Sequence, residues 1–191
     1  MRTVGLLLAA GAGRRMGRPK ALLRNADGEP FLVRAVGRLR EGGCLRVMVV
    51  LGAGVDEARL LLPGSGDVEV VVAEDWDEGM GASLRAGLRA LDGSDADAAL
   101  VSLVDLPDVD AAVLRRVVAA GEPAGARALV RATYDGRPGH PVLIGRGHWA
   151  GVVTTAHGDR GARGYLASHD VTTCECGDLA TGRDVDRPED L

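Results

Sequence analysis

An apolar run, Val4 to Ala9, feeds directly into a loop that reads Ala10-Gly11-Ala12-Gly13-Arg14-Arg15-Met16-Gly17-Arg18-Pro19-Lys20. A short stretch with no polar side chain is the pattern of a strand buried on both faces. Such a strand must be covered above and below, which commits the chain to a sheet flanked by helices. The loop has its own chemistry. Glycines let backbone N–H groups approach an anion, and the arginines and lysine supply positive charge. A strand followed by this loop reads as a cradle for a polyphosphate.

The rest of the chain repeats the alternation. Strands are predicted at Val47 to Leu51, Val68 to Ala73, Ala98 to Val104 and Ala128 to Thr133, with a short extended piece from His140 to Ile144 and a late strand near Val171 to Cys174. Helical patterns fall between them: Phe31 to Arg40, Glu57 to Leu62, Ser83 to Leu91, Asp110 to Ala120 with Asp110 as N-cap, and Ala162 to His169. The expected architecture is α/β, with a mostly parallel sheet and one domain over 1–191. Ligands of such sheets bind beyond the carboxyl ends of the strands. That rule gathers the glycine loop, the segment Trp76 to Ser83 and Asp105 on one edge.

The loop spacing excludes two common phosphate binders. A Walker A loop needs Gly-Lys-Ser/Thr, whereas Gly17 is followed by Arg18 and Lys20 by Ala21. A dinucleotide fingerprint is G-x-G-x-x-G, whereas Gly11, Gly13 and Gly17 are one residue too widely spaced. No acidic residue closes the second strand either, where Leu51-Gly52-Ala53-Gly54 stand.

Composition narrows the ligand. The net charge is −4 and aromatic residues make up 3% of the chain, which argues against nucleic-acid binding and base-stacking platforms. Positive charge concentrates instead at Arg14, Arg15, Arg18 and Lys20, as a small anion requires. Three cysteines, Cys44, Cys174 and Cys176, give no paired framework and read as buried thiols of a reducing compartment. No signal peptide is visible and no apolar run is long enough to span a membrane, so a cytoplasmic protein is expected.

The loop resembles the signature L-A-A-G-x-[SG]-x-R-M-G-x-x-K of the MobA-like NTP transferases, with Arg15 as motif arginine and Lys20 as motif lysine. Leu103-Val104-Asp105-Leu106-Pro107 is similar to that family's D-x-P metal aspartate, although a turn-forming Asp before Pro is the plainer alternative. Trp76-Asp77-Glu78-Gly79-Met80-Gly81-Ala82-Ser83-Leu84 resembles its W-x-x-G-M-x-x-S-L loop near the nucleotide's base and ribose. Ser83 reads equally as an N-cap. Asp184-Val185-Asp186-Arg187-Pro188-Glu189-Asp190-Leu191 resembles the ending D-[IV]-D-T-P-E-D-L, with Arg187 in place of threonine. It makes Asp186 a second metal ligand or part of an exposed acidic tail. Gly139-His140-Pro141-Val142-Leu143 and Gly158-Asp159-Arg160-Gly161-Ala162-Arg163 resemble the molybdenum cofactor cytidylyltransferase (MocA-type) branch.

The resemblance implies a Rossmann-like three-layer α/β/α nucleotidyltransferase fold. It implies that Leu8, Ala9, Ala10, Gly11, Gly13, Arg15, Lys20, Gly81 and Ser83 bind the nucleotide. Arg15, Lys20 and Asp105 would be catalytic, and Asp105 with Asp186 would hold Mg²⁺. His140, Asp159 and Arg163 would meet the acceptor, although Asp159 reads also as a helix cap and the arginines as solvated. The implied reaction is CMP transfer from CTP to the terminal phosphate of a molybdopterin cofactor, with transient contact to a molybdoenzyme or its chaperone. Leu-Ala-Ala-Gly, rather than Leu-Ala-Gly-Gly, tilts the donor toward CTP. Three alternatives stay open: GTP as donor, another phosphorylated acceptor, and a nucleotide- or flavin-binding redox or accessory protein on the same fold.

Overall fold

The structure is a computed structural model, and it describes residues 1–190; Leu191, the last residue of the C-terminal motif, lies outside them. The strands are β1 (Thr3–Leu8), β2 (Val47–Leu51), β3 (Val68–Val72), β4 (Ala98–Leu103), β5 (Leu129–Tyr134), β6 (Arg137–Gly145) and β7 (Thr172–Glu175). They form one seven-stranded sheet in the order β3-β2-β1-β4-β6-β5-β7. Pairing is parallel except around β6, which runs antiparallel to both β4 and β5.

Six helices cover the sheet: α1 (Phe31–Glu41), α2 (Val55–Leu61), α3 (Met80–Leu91), α4 (Ala111–Gly121), α5 (Arg146–Thr155) and α6 (Arg163–Ala167). Side chains alternate faces along a strand, so each continuous apolar run feeds two cores. Leu7, Val49, Leu100 and Leu143 pack with Leu32 and Leu39 of α1 and Leu114 of α4. Their neighbours Leu6, Val50, Val101 and Ile144 pack on the other face with Leu88 of α3 and Trp149 of α5. Asp110 caps α4 as expected, its carboxylate accepting from the amides of Ala112 at 2.8 Å and Val113 at 3.3 Å.

Two elements depart from the sequence reading. The extended piece predicted from His140 to Ile144 is the second half of the longer β6, which turns back on β5 through Asp135-Gly136. Both turn residues have positive φ, 51° and 74°, the backbone that tight hairpins require and that Asp-Gly favours. α5 was not foreseen. Its sequence, Arg146-Gly-His-Trp-Ala-Gly-Val-Val-Thr-Thr155, carries two glycines and four β-branched residues and buries only Trp149 and Val152. Packing on the sheet, rather than intrinsic preference, makes it helical.

Candidate active site

The carboxyl ends of β1 and β4 open into a cleft of about 420 Å³. This is where the sheet order reverses direction, between two parallel strands whose following segments diverge. One wall is the glycine loop, from Leu8 to Arg14. Ala9 N–H donates to Val50 O at 2.9 Å and Ala53 N–H to Ala10 O at 3.0 Å, which ties the loop's start to β2. Gly13 has φ of 59°, and a Cβ there would collide with the Arg18 carbonyl. Only glycine permits the loop to fold over itself at that point. The chain then enters a single helical turn, Lys20–Leu22, whose Ala21 and Leu22 are buried. Those two apolar anchors aim Lys20 into the cleft.

The opposite wall comes from the β3–α3 connection, through Trp76, Asp77, Gly79 and Met80, with Ser83 in the first turn of α3. α3 begins at Met80 with Gly79 at its cap and no side-chain cap bond, so Ser83 is not the N-cap. Its buried hydroxyl-bearing side chain lines the cleft instead. Gly81 is placed outside the cleft lining. A Cβ on it would lie 2.8 to 2.9 Å from the backbone of Ala156 and His157, so this glycine lets α3 approach that segment. Asp159, in the turn Gly158–Arg160, closes the cleft beside Gly79. It does not cap α6, whose start has no side-chain cap bond.

The floor carries the charge. Asp105 follows β4 and is 8% exposed. Val185 N–H donates to Asp105 O at 2.9 Å, and the Val185 side chain is buried. That pairing brings the C-terminal segment alongside β4, with Asp184 and Asp186 flanking Val185. The ligand oxygens of Asp105, Asp184 and Asp186 lie within 4.8 Å of one another, the only such three-residue group among the described residues. Lys20 Nζ donates to Asp105 Oδ2 at 2.6 Å and to Asp186 Oδ1 at 2.5 Å. Arg15 lies at the rim, 72% exposed, 3.4 Å from Asp186 Oδ2; it is Arg14 that lines the main cleft.

These groups perturb one another. Burial lowers the Lys20 pKa, but Asp105 and Asp186 outweigh it, and the ammonium is held above its ordinary range. Burial pushes the Asp105 carboxyl up, the Lys20 ammonium offsets part of this, and Asp184 adds to it. The more exposed Asp186 is held down, chiefly by its hydrogen bond from Lys20. Three carboxylates thus face one half-buried cation, Lys20, and one exposed one, Arg15. Hard oxygen donors with surplus negative charge, one of them desolvated, suit a divalent ion such as Mg²⁺ or Mn²⁺. Lys20 already occupies a cation's position between two of them.

Beside the main cleft lies a lobe of about 80 Å³, which shares Leu8, Met80 and Asp159 with it. His140 and Arg163 line this lobe, together with Arg131 and Arg160. Burial, reinforced by Arg131 and Arg163, drives the His140 pKa down to about 4, so its imidazole is neutral near pH 7. Of the candidates read from the sequence, all but Gly81 line the cleft, its rim or this lobe. Asp184, Arg14 and Arg131 are additions. Asp184 had a legible signal, since residues i and i+2 of an extended segment share a side.

A glycine-loop cleft with a lysine and metal-type carboxylates at the strand ends of a mostly parallel sheet defines the Rossmann-like α/β fold of nucleotidyltransferases. The chain belongs to the MobA-like NTP transferase family, whose domain matches residues 5–173. It is 36% identical to nicotine blue oxidoreductase of Paenarthrobacter nicotinovorans, over 98% of this chain and 93% of that protein. It is 30% identical to molybdenum cofactor guanylyltransferase of Cereibacter sphaeroides, over 100% of this chain and 94% of the relative. Among solved structures, Rv0371c of Mycobacterium tuberculosis superposes with a TM-score of 0.83 at 30% identity, covering 100% of this chain and 95% of the other. That protein has also been crystallised in complex with manganese, a structure that matches with a TM-score of 0.77 at 28% identity, over 97% and 94% of the two chains. No helix among the described residues is long and apolar enough to cross a membrane.

Proposed function

We propose that the cleft transfers a nucleoside monophosphate from an NTP to a phosphorylated acceptor and releases pyrophosphate. The observation that carries this reading is the Lys20 ammonium held at 2.6 and 2.5 Å by Asp105 and Asp186, at the mouth of the glycine loop. The loop amides and Arg14 receive the triphosphate. Asp105, Asp184 and Asp186 hold the divalent ion, which supplies charge neutralisation on the donor phosphates. Mg²⁺ is the proposed ion, and the manganese complex of a relative supports a divalent metal of this size. Lys20 moves from its carboxylates onto the α-phosphate as the anion enters, and Arg15 guards the rim.

An acceptor phosphate oxygen attacks the α-phosphorus. A new P–O bond forms, the α–β bridging P–O bond breaks, and pyrophosphate leaves with the electron pair. A phosphate nucleophile is anionic at neutral pH, so the step requires no general base. Positioning and electrostatic stabilisation supply the rate. CTP is the favoured donor, from Leu8-Ala9-Ala10-Gly11, and a molybdopterin-type cofactor the favoured acceptor, in line with the named relative that guanylates the molybdenum cofactor.

The test is pyrophosphate release across a matrix of NTPs and acceptors, with and without EDTA. Release that requires divalent metal, CTP and the pterin phosphate is expected. No release with any donor and acceptor pair overturns the reading. The 36% identical relative named as an oxidoreductase favours a second reading, a redox protein on this fold. A yellow purified protein, or redox turnover of an added dye with no pyrophosphate release, would select it.

A further inference from the structure

We propose that Arg38 is a positioning residue for the metal-type carboxylates: from α1 it holds the backbone that follows Asp105, and through Asp105 the pairing that brings Asp184 and Asp186 to the cleft. Arg38 takes this role on the reading of those carboxylates as metal ligands; it lies outside the cleft lining and touches none of the three through its side chain.

Asp105 stands near the start of the connection between β4 and α4. Pro107 has no N–H, and it disfavours the helical region at Leu106. The carbonyls along this stretch therefore lack helical partners and need donors from elsewhere. One side chain supplies them. Arg38 Nη1 donates to Leu106 O at 3.0 Å and to Val109 O at 3.1 Å, and Nη2 donates to Pro107 O at 2.7 Å. Leu106 and Val109 are 7% and 3% exposed, so water is a poor replacement for the guanidinium at their carbonyls. A planar guanidinium with donors on both Nη atoms spans three acceptors in one plane-bound fork, which an ammonium, a point charge on a flexible stem, does not.

The support is firm at both ends. Leu32, Val36 and Leu39 of α1 are buried, and Leu39 shares a core with Leu114 of α4. Arg115 of α4 adds a bond to Glu41 O at 2.9 Å. Arg38 thus reaches from a fixed helix to the chain just before it enters α4. At Asp105 itself, the carbonyl accepts from Val185 N–H at 2.9 Å, and Asp184 and Asp186 flank Val185. Ahead of it, Val104 N–H reaches Leu8 O at a longer 3.3 Å. β1 before Asp105, the C-terminal segment at it and Arg38 after it together set where its carboxylate stands relative to the other two. Mg²⁺ demands near-octahedral oxygens at about 2.0–2.1 Å, so a displaced Asp105 is felt as lost metal affinity.

The direction of the effect separates position from charge. Arg38 is a cation on the protein side of a cation site. Were its charge the acting property, removing it would tighten metal binding. Because it holds Asp105, removing it weakens binding.

The experiment titrates Mn²⁺ into the protein without nucleotide and reads the free ion by electron paramagnetic resonance. Arg38→Gln is expected to weaken Mn²⁺ binding at least about tenfold, which is 1.4 kcal/mol. Binding at least as tight as in the wild type overturns the proposal. Arg38→Lys keeps the charge and is read in the same way if Arg38→Gln does not fold. Arg115→Gln loses one carbonyl bond between the same two helices and should bind Mn²⁺ as the wild type does. An equal loss there overturns the proposal, because general loosening then accounts for it. Amide exchange by NMR gives a second readout. The Val185 N–H should exchange at least about tenfold faster in the Arg38 variant, while the Ala53 N–H, which donates to Ala10 O at the end of β2, keeps its rate. An unchanged Val185 rate also overturns the proposal. A wild type that takes up no Mn²⁺ removes the metal-ligand reading, and the Val185 rate then decides alone whether Arg38 holds this segment. Both readouts are taken without turnover, so absent pyrophosphate release removes the transfer reading and leaves the role of Arg38 standing.

Discussion

Arg85 ties the Trp76 wall of the cleft to the segment that leads into the Asp159 turn, and its removal has a calculable cost. The guanidinium projects from α3 and donates to Ala156 O at 2.8 Å, Asp75 Oδ2 at 2.9 Å and Glu78 Oε2 at 2.8 Å. Asp75 and Glu78 flank Trp76 in one wall, and Ala156 leads into the turn whose Asp159 closes the cleft beside Gly79. The carboxylates are 46% and 59% exposed, so each ion pair contributes about 0–1 kcal/mol. Ala156 is fully buried, and leaving its carbonyl without a donor costs about 1–3 kcal/mol. Arg85→Met keeps most of the aliphatic stem and removes all three bonds, for a loss centred near 3 kcal/mol. At roughly 2–4 °C per kcal/mol for a chain of this size, the melting temperature should fall by about 6–12 °C. Thermal unfolding by circular dichroism measures this directly. The loosened walls should also raise KM for the NTP about tenfold, with a smaller change in kcat. A melting temperature within about 2 °C of wild type would refute the claim that the Ala156 carbonyl depends on Arg85.

Other expectations follow from the same geometry. Lys20→Ala and Asp105→Ala, if folded, should each lower turnover by about 10²-fold or more in the pyrophosphate assay, the scale of losing a preorganised electrostatic contact. Gly81→Ala should destabilise by about 1–3 kcal/mol, because its Cβ meets backbone rather than a flexible side chain; equilibrium urea unfolding reports this, and a neutral result would return Gly81 to a purely ligand-facing role. Glu175 accepts from Thr133 Oγ1 and from the amides of Gly177, Gly136 and Asp135, which together hold its carboxyl at about 2, below the ordinary 4.5. Its stabilising contribution is therefore fully present above pH 4.5 and is lost as pH falls toward about 2. The melting-temperature gap between wild type and Glu175→Gln should accordingly narrow over that window, and a gap that stays constant would contradict the assignment.

Local chemistry made the glycine-loop half of the cleft readable in the sequence. The glycine loop follows β1 and Asp105 follows β4, and topology alone brings those strand ends together, while buried Ala21 and Leu22 bring Lys20 to them. Features set by tertiary contact were harder to read. Gly81 looks like a ligand-facing glycine because it lies in a loop-like Gly-Met-Gly string, yet the helix starts one residue earlier and the Ala156–His157 backbone explains the missing side chain. α5 was invisible because its residues have weak helical preference and its burial is confined to one narrow face. β6 was readable in principle from Asp135-Gly136, a hairpin dipeptide between two apolar runs.

The C-terminal segment shows why a site of this kind needs more than a motif. Asp184 and Asp186 stand some eighty residues beyond Asp105, in a stretch that reads as a solvated acidic end. Val185 decides between those readings. Buried between the two aspartates and paired through its amide to the Asp105 carbonyl, it turns an acidic tail into the second wall of a three-carboxylate site. The glycine loop then meets a focus of negative charge that Lys20 only partly balances. A polyanion and a divalent cation neutralise the two sides when they enter together, and neither does so alone. The Lys20 bridge links both sides, so metal and donor should bind with positive cooperativity, and each should bind the Lys20→Ala protein with that cooperativity lost. Calorimetric titration of the NTP with and without Mg²⁺, in both proteins, measures the coupling, and equal coupling in the two would separate Lys20 from the metal site.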